Sequence, residues 1–397
     1  MIHPIATEHR NRQMLLLSVG TFCVFLAMLS LIPLLPIVSE ELNISKSSLG
    51  WVAGVFMICM AFLQIPFGLL SDKFGRKKII IVGILVFGVG VAMLSVSHSF
   101  AALLIARAVS GSGAAMFFQA SFTMVGDMYE FHERGKGMGI LAAATGLGTI
   151  SGYSVGGVLG ELYGWRIVFI WLAAFAFLVS IVSLLLHETR PQFKEEHRLG
   201  KLLYLSLDLF RTRTIMFATL VGMLCMMAVV GASYVLPFFA LDSGISTAST
   251  GLLFIPYAIT SSLGASWCGW LSDIVGRKRP LVAVTLLGGI ALLLFSHVTT
   301  SPWLIAVNFA FVGLCFGPVV TLSTTILVDE VVKTDTRILA TTMGTFNMVR
   351  WLGGALGPVL GGVFLDIYGA RTAFTVLAGM ILLAAVFSVG LRESGCE

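Results

Sequence analysis

The sequence predicts an all-α membrane protein, with twelve transmembrane helices in two pseudo-symmetric six-helix halves. Of the 397 residues, 57% are hydrophobic and only 11% are charged, whereas an average soluble protein is about 25% charged. The apolar runs are 20 or more residues long, as a bilayer core of about 30 Å requires, and motifs of the first half recur in the second. These observations exclude a soluble globular protein, and they exclude a β-barrel, whose strands alternate over about 10 residues.

The spans are predicted from the apolar runs and from the charges and turns between them. The first run follows the polar segment MIHPIATEHRNRQ, which lacks a cleavage site of small residues and is expected to be retained. The predicted spans are 14–38, 50–70, 79–97, 101–125, 137–160, 166–187, 214–240, 248–271, 281–300, 302–328, 338–364 and 371–391.

The positive charges predict the orientation. If both termini are cytoplasmic, the inner loops and ends hold 20 of the 25 Lys and Arg residues, and the outer loops hold only Lys46, Arg166 and Arg371. This is the positive-inside distribution of a multi-pass protein of the plasma (inner) membrane. Topology and contacts with anionic lipid account for the net charge of +5, so no nucleic-acid partner is expected.

A polar stretch at 188–213 separates an N-terminal half, 1–187, from a C-terminal half, 214–397. It is predicted to be a cytoplasmic linker. Leucines within 199–207 could form the apolar face of an interfacial helix, with a disordered connection as the alternative. Five of the six cysteines lie in apolar runs without the spacing of a disulfide framework or metal site. We therefore expect no metal and no cofactor, and we expect a monomer.

An internal repeat at an offset of 201 to 205 residues relates the two halves. The segment GLLSDKFGRKK at 68–78 aligns with GWLSDIVGRKR at 269–279, and GYSVGGVLGELYGWRIVF at 152–169 aligns with GPVLGGVFLDIYGARTAF at 357–374. Two parallel six-span halves bring a substrate site to the bilayer midplane, where rocking of one half against the other alternates its exposure. The repeat therefore predicts a transporter.

The segment at 68–78 resembles the cytoplasmic signature of the major facilitator superfamily, and the resemblance extends over nearly the whole chain. Its glycines allow a tight turn and close approach, and its Asp can accept hydrogen bonds from a helix N-terminus or a basic group. We expect a conformational latch here and at the equivalent loop, with a purely topological turn as the alternative. The expected latch residues are Gly68, Asp72, Gly75, Arg76, Asp127, Asp273 and Arg277.

The fourth span resembles that of the drug and proton antiporter branch of this family. The run LLIARAVSGSGAA contains Arg107, with Ser110 where a Gln is common. Tyr153 replaces the Pro of the Gly-Pro pair that this branch usually has in the fifth span. The resemblance implies efflux of small amphipathic compounds by proton antiport. Glycine stripes in spans 5 and 11 are expected to be helix-packing surfaces, formed by Gly148, Gly152, Gly156, Gly353, Gly357, Pro358 and Gly361.

Arg107 and Arg350 are the only charged residues deep within the predicted spans. A guanidinium at a helix centre costs about 2.5 to 3.5 kcal/mol on insertion scales, so it should face a wet cavity or a partner. Arg350 lies 12 residues into its span, about 18 Å along the axis, and is the preferred substrate contact; binding to carbonyls or to Asn347 is the alternative. For Arg107, structural and proton-linked roles stay open. Other polar residues that could line the cavity are Gln64, Gln119, Tyr153, Tyr234, Tyr257, Asn308 and Asn347.

The sequence favours secondary transport over other classes of function. It contains no nucleophile paired with a base, no metal-ligand cluster and no P-loop, so neither an enzyme nor a primary pump is predicted. A non-transporting sensor would not need the latch motif in both halves. With two arginines and no acid inside the predicted spans, an anionic or neutral substrate fits better than a cation. The alternative to proton-driven efflux is an organic-anion uptake symporter or exchanger.

Overall fold

A computed structural model describes residues 7–130, 133–189, 210, 212–295, 301–334 and 339–391, and within these ranges the regular structure is helical. The predicted interfacial helix at 199–207 lies outside the described residues. The α-helices are α1 Thr7–Ser30, α2 Leu35–Leu42, α3 Lys46–Phe74, α4 Arg76–Ser95, α5 Phe100–Met128, α6 Arg134–Tyr163, α7 Trp165–Val182, α8 Arg213–Asp242, α9 Thr247–Val275, α10 Lys278–Phe295, α11 Pro302–Thr334, α12 Leu339–Tyr368 and α13 Ala370–Val389.

Twelve helical segments are long and apolar enough to cross a membrane, and α1 and α2 together form the first of them. The predicted all-α class and number of spans are confirmed. Many helices are longer than predicted: α6 has 30 residues and α11 has 33, about 45 and 50 Å at 1.5 Å per residue. Their ends therefore extend beyond a hydrocarbon core of about 30 Å. For this reason two acids that the predicted spans left outside lie within helices: Asp127 on the last turn of α5 and Asp329 on the second-to-last turn of α11.

Proline divides the first span into two helices. Pro33 lies in a short 3₁₀ helix, Ile32–Leu34, and Pro36 lies in the first turn of α2. Each proline lacks a backbone N–H and so removes one helical hydrogen bond. Other prolines lie inside uninterrupted helices, namely Pro66, Pro237, Pro256, Pro318 and Pro358.

Glycines with positive φ form four of the turns between helices. Gly75 (φ 101°) separates α3 from α4, and Gly276 (φ 87°) follows α9; Gly164 and Gly369, both with φ 83°, separate α6 from α7 and α12 from α13. L-residues with a Cβ rarely adopt these angles. The members of each pair are 201 or 205 residues apart, so the repeat in the sequence is also present in the backbone.

Contacts group the chain into two units. Unit 1 comprises Met1–Leu42 and Ile58–Lys194, and unit 2 comprises Asn43–Met57 and Glu195–Glu397. In unit 1, α1 packs against α6 and α4 packs against α7; in unit 2, the equivalent pairs α8 with α12 and α10 with α13 pack together. The helix α3 is divided, because its first three turns belong to unit 2 and the remainder belongs to unit 1.

Candidate functional site

The first predicted latch loop is organised by the side chain of Arg76. Its Nε donates to Asp127 Oδ2 at 3.2 Å, and its Nη1 donates to Ser71 Oγ at 3.2 Å and to Asp72. The Arg76 side chain is only 3% exposed. Two carboxylates therefore neutralise a buried guanidinium, and the loop joins the end of α3 to the last turn of α5.

Glu188 and Thr189, which follow α7 in the sequence, complete this cluster. The Glu188 carboxylate accepts the backbone N–H of Arg76 at 2.6 Å, and the Thr189 hydroxyl donates to Asp127 Oδ2 at 3.2 Å. Glu188 thus satisfies a free N–H at the start of α4, where the helix dipole favours negative charge. A Cβ on Gly75 would overlap this carboxylate, so the glycine is required for close approach as well as for its positive φ.

The second latch loop has the same arrangement in unit 2. Arg277 donates from Nε to Asp329 Oδ2 at 3.4 Å and from Nη1 to Ser272 Oγ at 2.7 Å and to Asp273. Its side chain is 20% exposed. Asp329 is the counterpart of Asp127 at an offset of 202 residues, and our sequence reasoning missed it although the repeat could have identified it.

Arg350 lies on α12, and its Nε is buried without a hydrogen-bond partner among the described residues. Its guanidinium carbon is 5.7 Å from the centre of the Phe346 ring. One turn further along, Gly354 lies against methionines: a Cβ placed there would be 3.0 Å from Met57 Sδ and 3.3 Å from Met226 Cγ. The surroundings of this helix face in unit 2 are therefore apolar and deformable.

Arg107 differs from Arg350 in its surroundings. It lies in unit 1, is buried and takes part in at least one interaction. The other predicted cavity residues are scattered. Tyr153, Tyr234 and Tyr257 are buried, whereas Gln64, Gln119, Asn308 and Asn347 are partly exposed.

Contacts distinguish some of these polar residues. Tyr257 stacks on Phe309 with ring centres 4.7 Å apart. Gln119 lies close to Gly68, where a Cβ would be 3.2 Å from its Nε2. Asn308 Oδ1 is buried without a partner among the described residues.

Glycines bring α6 close to α1. A Cβ on Gly152 would lie 2.8 Å from the Leu26 carbonyl oxygen, and one on Gly148 would lie 2.9 Å from the carbonyl oxygen of Phe22. At Gly156 the added atom would overlap a backbone oxygen of α1. These distances leave no room for a side chain between the two helices.

The equivalent glycines of α12 face α8. Added Cβ atoms would overlap the carbonyl oxygens of Met223 at Gly353 and of Met227 at Gly357. At Gly361 the added atom would lie 3.2 Å from the carbonyl oxygen of Gly231. The α1–α6 and α8–α12 pairs are therefore built alike.

The start of α3 contacts α12 and α8 within unit 2, and these contacts were not predicted from the sequence. The backbone N–H groups of Lys46 and Ser47 donate to Asp366 Oδ1 at 3.2 Å and Oδ2 at 2.7 Å. The Tyr234 hydroxyl donates to the Lys46 carbonyl, which gives that hydroxyl a partner inside the protein. Asp366 aligns with Glu161 at an offset of 205 residues, so the repeat carried a signal for this position.

A further charged cluster lies at the end of unit 1 opposite the latch loop. Glu41 accepts the Trp165 indole N–H at 2.5 Å and pairs with Arg166. Arg166 also donates to the Ser97 carbonyl at 3.2 Å. These bonds join α2, the beginning of α7 and the α4–α5 turn. Among the described residues, no group of three or more His, Cys, Asp or Glu could hold a metal ion.

Comparisons with known proteins agree with this architecture. The family model described as Major Facilitator Superfamily matches residues 17–355, with a second match at 218–394. Quinolone resistance protein NorA of Staphylococcus aureus (strain Mu50 / ATCC 700699) is 31% identical over 177 residues, which are 44% of this chain and 45% of NorA. Multidrug resistance protein 1 of Bacillus subtilis (strain 168) is 31% identical over 178 residues, 45% of this chain and 46% of that protein. Each match spans less than half of the relative's length.

Two solved structures resemble the fold over almost the whole chain. A bacterial homolog to the human lysosomal transporter Spinster, in an inward-facing and unoccupied conformation, gives a TM-score of 0.82 at 18% identity and covers 96% of both chains. A mutant of the nucleoside transporter NupG gives 0.76 at 16% identity and covers 95% of this chain and 99% of that one. Because the family model covers most of the chain and these neighbours share its fold, the chain belongs to the major facilitator superfamily of membrane transporters.

Proposed function

We propose that this protein is a secondary active transporter that exports small amphipathic organic molecules by proton antiport, through alternating access to one site. The names of its relatives, a quinolone resistance protein and a multidrug resistance protein, support the direction and the substrate class. The repeat of Arg–acid clusters in both units supports a cycle in which the equivalent loops form contacts in one conformational state and break them in the other. The Lys and Arg distribution supports a plasma-membrane orientation with both termini and both latch loops in the cytoplasm.

The observation that carries the substrate assignment is the unpartnered Nε of Arg350. A buried N–H group without an acceptor costs about 1 to 3 kcal/mol, more if it is charged. A carboxylate, sulfonate or phosphate on a ligand would accept hydrogen bonds from the planar guanidinium in two-point geometry. The nearby methionines Met57 and Met226 offer an adaptable apolar surface for the rest of the molecule. The substrate proposed is therefore an amphipathic anion, or a neutral molecule with a strong acceptor.

The same arginine also favours a second candidate, an organic-anion carrier that takes up its substrate by symport or exchanges it. Both candidates need a cationic contact, and they differ in what drives the movement. Direction and coupling are therefore what the deciding experiment must measure.

Transport into everted membrane vesicles tests the proposal. With an acidic lumen, an exporter driven by proton antiport should accumulate an amphipathic anion, and collapse of the pH gradient should abolish the accumulation. Vesicles that carry Arg350→Gln provide the control for the substrate contact. Substrate transport that does not depend on the pH gradient but is accelerated by substrate on the opposite side of the membrane would instead identify an exchanger.

A further inference from the structure

The first turn of α3 is capped by a carboxylate distant in sequence. The first N–H groups of any helix lack acceptors within the helix. In α3, Ser45 supplies one local acceptor, since its Oγ accepts the Ser48 N–H at 3.2 Å. The N–H groups of Lys46 and Ser47 are instead satisfied by the two oxygens of Asp366, at 3.2 and 2.7 Å. A negative charge also interacts favourably with the positive end of the helix dipole.

The following turns of α3 pack against the backbone of α12. A Cβ on Gly54 would lie 2.6 Å from the Ala355 carbonyl oxygen, and one on Gly362 would lie 2.6 Å from the Lys46 carbonyl oxygen. A Cβ on Gly50 would overlap the carbonyl of Pro358. Asp366 therefore lies at one end of a glycine-lined contact that extends over three turns.

We propose that Asp366 is a positioning residue of the transport cycle, whose carboxylate holds the first turns of α3 against α12 and releases them when the substrate path opens at the end of the helices where Asp366 lies. The helix continues from Ile58 into unit 1, so movement of that unit against unit 2 requires this contact to break or α3 to bend. This inference rests on the proposed alternating access. It assigns to Asp366 a role that neither of the predicted latch loops has.

A cysteine at position 359 reports on the contact directly. Val359 lies beneath α3, with its Cα 2.9 Å from a Cβ built on Gly50 and its Cγ2 3.5 Å from one built on Gly54. Val359→Cys should react slowly with a water-soluble maleimide while α3 is docked. Removing the charge by Asp366→Asn in the same chain should raise the labelling rate about 3- to 30-fold, the effect of losing a helix cap. The protein without Val359→Cys gives the background from native cysteines.

Three control variants test whether the faster labelling comes from loss of the Asp366 contact or from fraying of the helix end. Ser45→Ala removes the local cap of the same helix and should leave the labelling of Val359→Cys unchanged. Asp242→Asn removes an exposed acid at the end of α8 and should also have no effect. Asp366→Glu keeps the charge and should stay within about twofold of the parent rate.

Any of three results would overturn the inference: no acceleration by Asp366→Asn, equal acceleration by Ser45→Ala, or an Asp366→Glu rate as fast as that of Asp366→Asn. If Asp366→Asn fails to fold, Asp366→Ser, which also lacks the charge, takes its place, and an unchanged labelling rate in that variant would equally overturn the inference. Labelling requires no substrate, so the result is independent of whether the proposed substrate class and proton coupling are right.

Discussion

At the scale of single residues, the two arginines of the apolar spans have different surroundings. Arg107 is buried and takes part in at least one interaction, whereas the Nε of Arg350 is buried without a hydrogen-bond partner among the described residues. A guanidinium that is already engaged stabilises a helix bundle, and one with a free donor can bind a ligand. Arg350 is therefore the better choice for a substrate contact.

Substitution of Arg350 should weaken the binding of an anion far more than the binding of a neutral analogue. Arg350→Gln should cost an anionic ligand about 1.5 to 3 kcal/mol, or roughly 10- to 150-fold in affinity. Arg350→Lys keeps the positive charge but lacks the planar guanidinium with its two-point hydrogen bonding, so it should lose part of this affinity. Binding titrations with a matched anionic and neutral pair measure both effects.

The control for this substitution is Arg371→Gln, which removes an exposed arginine and should change neither affinity. If Arg350→Gln lowered the affinity for the anionic and the neutral ligand equally, Arg350 would stabilise the packing of the helices and would not bind the charged group of the substrate.

At the scale of secondary-structure elements, the arginines of the two latch loops, Arg76 and Arg277, make equivalent bonds but differ in burial. The Arg76 side chain is 3% exposed and the Arg277 side chain is 20% exposed. Solvent screens the second cluster more effectively, so each of its ion pairs contributes less. The first loop should therefore have the larger influence on the conformational equilibrium.

We expect Asp72→Asn to lower transport without lowering expression, and Asp273→Asn to have a milder effect. A change of about 1.4 kcal/mol in the free-energy difference between two conformational states changes their ratio about tenfold. We expect the substitution in the more buried cluster, Asp72→Asn, to cause a change closer to this size than Asp273→Asn. Transport by purified variants in liposomes, together with cysteine accessibility at both faces, provides the measurement. A wild-type rate and unchanged accessibility for Asp72→Asn would contradict a latch role.

The glycine contact between α8 and α12 gives a prediction on stability. Gly357→Ala adds a methyl group where the Met227 carbonyl oxygen already lies, and overpacking of this kind typically costs about 1 to 3 kcal/mol. Gly344→Ala, on the same helix, meets nothing within 4 Å and should be neutral or slightly stabilising, because Ala favours the helix. Thermal unfolding in detergent compares the two. Equal melting temperatures would show that α12 can move away from α8 at no cost.

Hydropathy and the repeat predicted the number of membrane-spanning segments, because a bilayer imposes their length and charge. The same reasoning set the ends of α5 and α11 too early, because a helix extends beyond the hydrocarbon wherever its backbone can still form hydrogen bonds. Asp72, Arg76 and Asp127 were predicted together, since motif and repeat place them at one end of the spans. Glu188 and Asp366 were missed, because each caps a helix distant in sequence and only the tertiary fold brings them there.

At the scale of the whole molecule, the proposed proton antiport would have to work without an acid at the centre of a predicted span. The acids that the described helices carry lie near the helix ends, and we propose Asp127 as the proton carrier because it is hydrogen-bonded to both Arg76 and Thr189. A proton bound there would weaken the ion pair and so couple protonation to the state of the latch.

Asp127→Asn should therefore lose accumulation driven by a pH gradient while it retains exchange of substrate for substrate at equilibrium. Counterflow and gradient-driven uptake in the same liposomes separate these two activities. If gradient-driven uptake survives in Asp127→Asn, the proton is carried by another interfacial acid or by the substrate. Insensitivity of the parent protein to the gradient would rule out coupling altogether.

Because the first three turns of α3 belong to unit 2 and its remainder to unit 1, the protein could be encoded as two separate polypeptides. A polypeptide that ends after Thr189 would still contain a complete Arg–acid cluster, and one that begins near residue 210 would contain the other. The first polypeptide would also carry the first three turns of α3, which bind α12 and α8 of the second. Two separately translated fragments would thus already contain a surface through which they recognise each other. The covalent link in the single chain would then ensure that the two halves are made in equal numbers, and it would not be needed for their assembly.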